Sequence, residues 1–214
     1  MEGPGLVDAV TPRSTLQWIV GVVAVLFLAG AAGYAIRAFA EPDPDTLSTV
    51  DEGFLVDMID HHDQAVEMAI IAQERASDPS VRSFAGEVII QQRWEIGIME
   101  SVLGRAGAGR GTDPERPAMA WMGMATVPAA QMPGMASAED IQALRTAPPD
   151  EVNTLFLELM AEHHVAGAEM AEYEAEHGSN AYVRQFASDI ARNQRSEIAE
   201  YRLVLERLGG VPSF

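Results

Sequence analysis

The chain has 214 residues, a formal net charge of −18 and no cysteine. The charge excludes nucleic acid as a partner, because phosphate binding needs a basic face. The missing cysteine excludes disulfides, thiolate zinc sites and cysteine nucleophiles. Any soft-metal site must therefore draw on the eleven methionines and five histidines.

Residues 1–15 form a short polar tail. Leu16 to Ile36 then runs 21 residues without a charge, and about 20 apolar residues span a bilayer as a helix. Trp18 and Tyr34 stand near its ends as interfacial aromatics do, with Arg13 and Arg37 flanking. The reading is a single-pass cell-membrane anchor over 16–39, with the N-terminus inside and the C-terminal domain on the extracytoplasmic side. Ala38-Phe39-Ala40 also fits a signal-cleavage pattern. Either reading places the domain outside the cytoplasm. Residues 40–48, with Pro42 and Pro44, read as a stiff linker.

Residues 49–208 read as an all-α, antiparallel four-helix bundle. Thr49-Val50-Asp51-Glu52 fits a capping box that opens a first helix to about Ala76. Asp78-Pro79 opens a second, to about Leu103. A short helix spans Ser137 to Thr146. A third long helix starts near Asp150 and stops at Gly178, and Ser179-Asn180 caps a fourth, ending at Gly209-Gly210. Residues 105–136 hold no period. They are rich in Gly, Pro and Ala, and read as a long exposed connection carrying Met119, Met122, Met124, Met132 and Met135.

One pattern occurs twice. Met58-Ile59-Asp60-His61-His62 leads to Glu67-Met68-Ala69, and Met160-Ala161-Glu162-His163-His164 leads to Glu169-Met170-Ala171. The offset of 102 residues persists beyond the motif: Val81-Arg82-Ser83-Phe84-Ala85 answers Val183-Arg184-Gln185-Phe186-Ala187. Gln92-Arg93-Trp94-Glu95-Ile96 answers Gln194-Arg195-Ser196-Glu197-Ile198. The repeat unit is a helical hairpin, and two hairpins bury each other's apolar faces.

At about 100° per residue, Met58, His61, His62, Ala65 and Met68 share one stripe, with Asp63, Gln64 and Glu67 opposite. Met160, His163, His164, Gly167 or Ala168, and Met170 do the same on the third long helix. Pseudo-two-fold symmetry brings the stripes together. Imidazole and thioether donors without thiolate favour Cu(I), and Cu(II) through the histidines; iron and zinc fit less well. The competing reading is a core stripe of packed methionines and hydrogen-bonded histidines. A carboxylate di-metal site needs Glu three residues before a His, and those positions hold Met58, Ile59, Met160 and Ala161. Glu95 and Glu197 could still bring carboxylates, or could pair with neighbouring arginines. Met122, Met124, Met132 and Met135 are accessory soft-metal candidates, and Trp121 either covers a cation or anchors the connection. His177 has no counterpart in the other repeat and suits a helix C-terminus.

The paired motifs, with Met132-Pro133-Gly134-Met135 before the second, resemble the bacterial family of unknown function numbered 305, which includes CopM-like copper-binding proteins. The resemblance covers about residues 50–208. It implies a ferritin-like four-helix bundle, exported or membrane-anchored, associated with copper binding and resistance. It carries metal ligation to Met58, His61, His62, Met68, Met160, His163, His164 and Met170, with the Met-rich connection as accessory. The membrane anchor is a departure from a freely diffusing carrier.

The expected function is membrane-anchored, extracytoplasmic copper sequestration or delivery to an accepting partner. No acid/base pair or nucleophile constellation is evident, so the chain is not read as an enzyme. The alternatives are an accessory subunit of a membrane complex and a di-metal oxidase.

Overall fold

The computed structural model describes residues 22–23, 26–31, 45–111, 113–212 and 214. The chain falls into two compact units, Met1–Asp43 and Pro44–Phe214. In the first, the described residues are helical and exposed. The expected anchor over 16–39 lies largely outside the described residues. Among these, no helix is long and apolar enough to cross a membrane.

The second unit contains α1 (Thr49–Arg75), α2 (Pro79–Arg105), α3 (Ala138–Thr146), α4 (Pro149–His177) and α5 (Ala181–Arg207). α1 pairs with α2 and α4 with α5, and the two hairpins meet chiefly through α1 and α4. The capping box of α1 sits one residue earlier than expected. Ser48 is the N-cap, and its hydroxyl accepts from the Asp51 backbone while the Asp51 carboxylate accepts from Ser48 N–H at 2.6 Å. The shift gives Asp51 a second role. Its Oδ1 accepts from the backbone N–H of Ser179 and Asn180, each at 3.0 Å, at the turn of the other hairpin.

The repeat reproduces that corner. Asn153 is the counterpart of Asp51, and its Oδ1 accepts from Asp78 N–H at 3.0 Å at the first hairpin's turn. Each helix start on the α1–α4 seam thus holds the opposite hairpin's turn. α1 and α4 therefore run antiparallel. The same corner buries Glu174 completely against Asp51. Burial first, and then the Asp51 carboxylate, push its pKa up to about 9.

The core divides into two clusters along the bundle. One holds Phe54, Leu55, Met58, Met99, Met170 and Val183; the other holds Met68, Val81, Phe156, Leu157, Met160 and Tyr201. Burying each large apolar side chain contributes roughly 1.5–3 kcal/mol.

The Met-rich connection does not lie exposed as expected. Met119 and Met132 are 1% and 2% exposed and join the first cluster; Met122 and Met135 are partly buried against it; Met124 alone of the five is 48% exposed. Apolar thioethers fill the end of the bundle, and polar anchors fix the chain there. Two short antiparallel segments, β1 (Pro117–Ala118) and β2 (Val127–Pro128), close it into a loop. Asp57, buried on α1, accepts from Arg116 Nη1 at 2.5 Å, Trp121 Nε1 at 2.7 Å and Met119 N–H at 2.8 Å. Trp121 is thus an anchor, packed edge-on against Phe54 and Tyr173. A Cβ at Gly53 would come within 2.5 Å of the Trp121 side chain, so only glycine lets the indole lie on α1.

Candidate functional site

The four motif histidines are all 0% exposed, as the helical stripe requires. His61 on α1 and His163 on α4 meet at the seam, with ring centroids 3.7 Å apart and planes tilted by 35°. The pseudo-two-fold axis passes between them. His62 and His164 turn instead toward the second helix of their own hairpin. His62 Nε2 donates to Glu95 Oε2 at 2.7 Å. His164 Nε2 lies 2.8 Å from Glu197 Oε2, close enough to pair but not aligned as a hydrogen bond. Glu95 and Glu197 therefore face histidines rather than neighbouring arginines.

The methionines divide by side. Met58 and Met170 belong to the core cluster that also takes Met99, Met119 and Met132, whereas Met68 and Met160 belong to the other. Antiparallel α1 and α4 explain this, because the motif's leading Met in one copy faces the trailing Met of the other. The soft donors are concentrated on the side that the Met-rich loop covers.

That loop closes directly over the histidine pair. His61 Nε2–H donates to Pro133 O at 3.2 Å. Gly134 has φ +77, and a Cβ there would meet Ala166 Cβ at 2.7 Å and His163 Cα at 3.1 Å, so the loop lies flat on α4 only with glycine. Gln64 clamps the next residues, donating to Ala136 O at 2.9 Å and accepting from Ala136 N–H at 2.7 Å. Met132 and Met135 are thereby drawn in against the core. Met122 only partly packs there, and Met124 stays at the surface.

Burial holds His61 neutral: its pKa is lowered to about 3, by desolvation first and by its histidine neighbours next. His163 is likewise pushed well below its usual range by burial, then by His61. Both rings carry free lone pairs at neutral pH. Nδ1 of all four histidines has no hydrogen-bond partner, and neither does Nε2 of His163 or of His164. Leaving one buried polar group unpaired costs about 1–3 kcal/mol, and native interiors contain few such groups. Several imidazole nitrogens left so beside buried thioethers fit a bound soft cation. Among the described residues, no three His, Asp or Glu side chains converge as a metal-holding group. The donor set for a carboxylate di-metal centre is thus not assembled there.

The site has further members beyond the repeated motif. Gln92 and Gln194 are repeat-related, each 3% exposed, with amide atoms unpartnered. Gln194 explains Gly167, where a Cβ would come within 2.5 Å of its Oε1. Tyr201 is 1% exposed with its hydroxyl unpartnered, and its ring lies 5.6 Å from that of His164. The repeat equivalence of Gln92 and Gln194, three residues before Glu95 and Glu197, was the available signal. His177 stays outside: it stacks on Tyr173 at 4.1 Å, and its Nδ1–H donates to Tyr173 O.

The comparisons agree with this architecture. A putative secreted DUF305 protein from Streptomyces coelicolor is similar at TM-score 0.69 and 31% identity, over 80% of this chain and 99% of that one. A DUF305 fragment from Deinococcus radiodurans is similar at 0.64 and 31%, over 75% and 98%. CopM in its Cu(I)-bound form is similar at 0.55 and 25%, again over 75% and 98%. An uncharacterised protein of Acanthamoeba polyphaga mimivirus is 37% identical over 70 residues, 33% of this chain and 41% of that protein. The model for the domain of unknown function DUF305 matches residues 51–205, both hairpins and the loop between them, and the chain belongs to that family.

Proposed function

We propose that the chain binds copper as Cu(I) at the α1–α4 seam, for sequestration or for delivery to an accepting partner. His61 and His163 would hold the ion. Met58, Met170 and Met132 would supply thioether sulfur from the cluster beneath the loop, with Met135 and Met122 at its margin and Met124 as an outer capture group. His62, His164, Met68 and Met160 extend the donor set across the axis. Imidazole plus thioether is a soft, neutral set that suits Cu(I) over iron or zinc. One observation carries the reading: two fully buried imidazoles, 3.7 Å apart, keep unpartnered nitrogens beside buried methionines. The copper-bound state of the similar CopM structure supports it. We further place the domain outside the cell membrane, tethered through residues 16–36, where it could work with a membrane complex. The exposed apolar residues Ile90 and Trp94 of α2 offer an accepting partner a surface.

The protein should retain Cu(I) after anaerobic loading and removal of excess, counted by mass spectrometry. The variant H61A/H62A/H163A/H164A should lose it while keeping its helicity. Equal retention would move the site to the Met-rich loop, and no retention in either would end the copper reading.

A further inference from the structure

We propose that Glu95 and Glu197 are positioning residues that fix His62 and His164 with the proton on Nε2, so that Nδ1 is the atom offered to metal. The inference rests on the copper reading above. An ionised carboxylate only accepts. Glu95 Oε2, 2.7 Å from His62 Nε2, therefore requires a proton on that nitrogen. Glu197 Oε2, 2.8 Å from His164 Nε2, selects the same form electrostatically. The Pro133 carbonyl does so for His61 by accepting from its Nε2–H. In all three rings the remaining nitrogen, Nδ1, is buried and has no partner. Two hydrogen-bond acceptors, a glutamate on α2 and a loop carbonyl, and one close carboxylate on α5 thus favour the same ring atom.

Metal-binding histidines are held in this way elsewhere, by an acceptor on the nitrogen facing away from the ion. His163 and His164 both have two nitrogens without a hydrogen bond, but only His164 has a carboxylate within 2.8 Å of its Nε2, so His163 is the freer to turn either nitrogen to the ion. The two glutamates also differ from each other. The Glu95 side chain is 4% exposed and accepts a second hydrogen bond, from Gln91 Nε2 at 3.2 Å, whereas the Glu197 side chain is 20% exposed. Glu197 can therefore be replaced with less damage to the core.

The test is long-range proton–nitrogen NMR of the full chain labelled at histidine, first without metal and then with Cu(I), which is diamagnetic. Without metal, His61, His62 and His164 should carry the proton on Nε2. E197L should move His164 partly to the Nδ1–H form, and E197Q, whose amide oxygen can accept at the same place, should restore Nε2–H. On Cu(I) loading, the Nδ1 resonances of His62 and His164 should shift. E197L should weaken Cu(I) affinity by about 10-fold in a chelator competition. A proton on Nδ1 in the parent, no tautomer change in E197L, or a metal shift at Nε2 would each overturn the assignment. Correct tautomers with no imidazole shift on loading would overturn the copper reading and leave the role of the glutamates in the metal-free fold standing.

Discussion

Acidifying the metal-free protein from pH 6.5 to 4.5 is expected to remove about 5 kcal/mol of folding stability through two histidines alone. His61 has its pKa lowered to about 3, and His163 lies well below the usual value. In the unfolded chain both titrate near 6.5. Below that pH the unfolded state takes up protons that the folded state refuses, so stability is present above 6.5 and falls as pH drops toward 3. Each such histidine costs about 1.4 kcal/mol per pH unit. Glu174 runs the other way. Its folded pKa is raised to about 9, so its contribution is lost as pH rises from about 4.5 toward 9 and is regained on acidification. Over the same range Glu174 returns about 2 kcal/mol, so the histidines prevail with a net loss of about 2–3 kcal/mol. A domain of this size has about 5–15 kcal/mol in total, so the metal-free protein should be clearly weakened, though still folded, near pH 4.5. Urea midpoints across this pH range, for the parent and for H61F/H163F, isolate the effect. The double variant should lose most of the acid slope. An unchanged slope would mean that these rings are protonated in the folded protein.

The second large effect is predicted at Asp57. D57A should destabilise the domain by about 3 kcal/mol and release the Met-rich loop. Three donors converge on this buried carboxylate: Arg116, Trp121 Nε1 and Met119 N–H. Removing it leaves a guanidinium whose side chain is only 15% exposed without its nearest partner. R116A should cost less, since Asp57 keeps two donors. The loop carries Arg110 followed by Gly111, so trypsin cleavage there should accelerate in D57A, with helicity retained. The same loop lays Pro133 on His61, so Cu(I) exchange should quicken too. Unaltered cleavage in D57A would show that the loop is fixed by something other than this anchor.

The hairpin repeat, the four long helices and the buried His-Met stripe were legible in the sequence. A fixed 102-residue offset and a 3.6-residue period are direct imprints of symmetry and burial. The same offset relates Asp51 to Asn153, a correspondence that becomes meaningful only when each is seen holding the other hairpin's turn. The loop was misread because its order comes from elsewhere. Gly, Pro and scattered Met give no period, and its fixation depends on Asp57 and Gln64 of α1. Asp57 did leave a trace: it lies three residues after Phe54 and four before His61, a charge on the apolar face, where the second repeat has Leu159. Sequence also could not divide the stripe. It offered eight equivalent donors, whereas helix direction separates Met58 and Met170 from Met68 and Met160.

The central claim is that one buried centre joins imidazole nitrogen and thioether sulfur on Cu(I). X-ray absorption at the copper edge, on the parent loaded with one equivalent of Cu(I), tests it most directly. The account predicts nitrogen and sulfur scatterers together in the first shell, with the sulfur reduced in M58L/M170L and the nitrogen reduced in H61A/H163A. A shell of sulfur alone, unchanged in H61A/H163A, would contradict it and place the copper on the methionines of the loop.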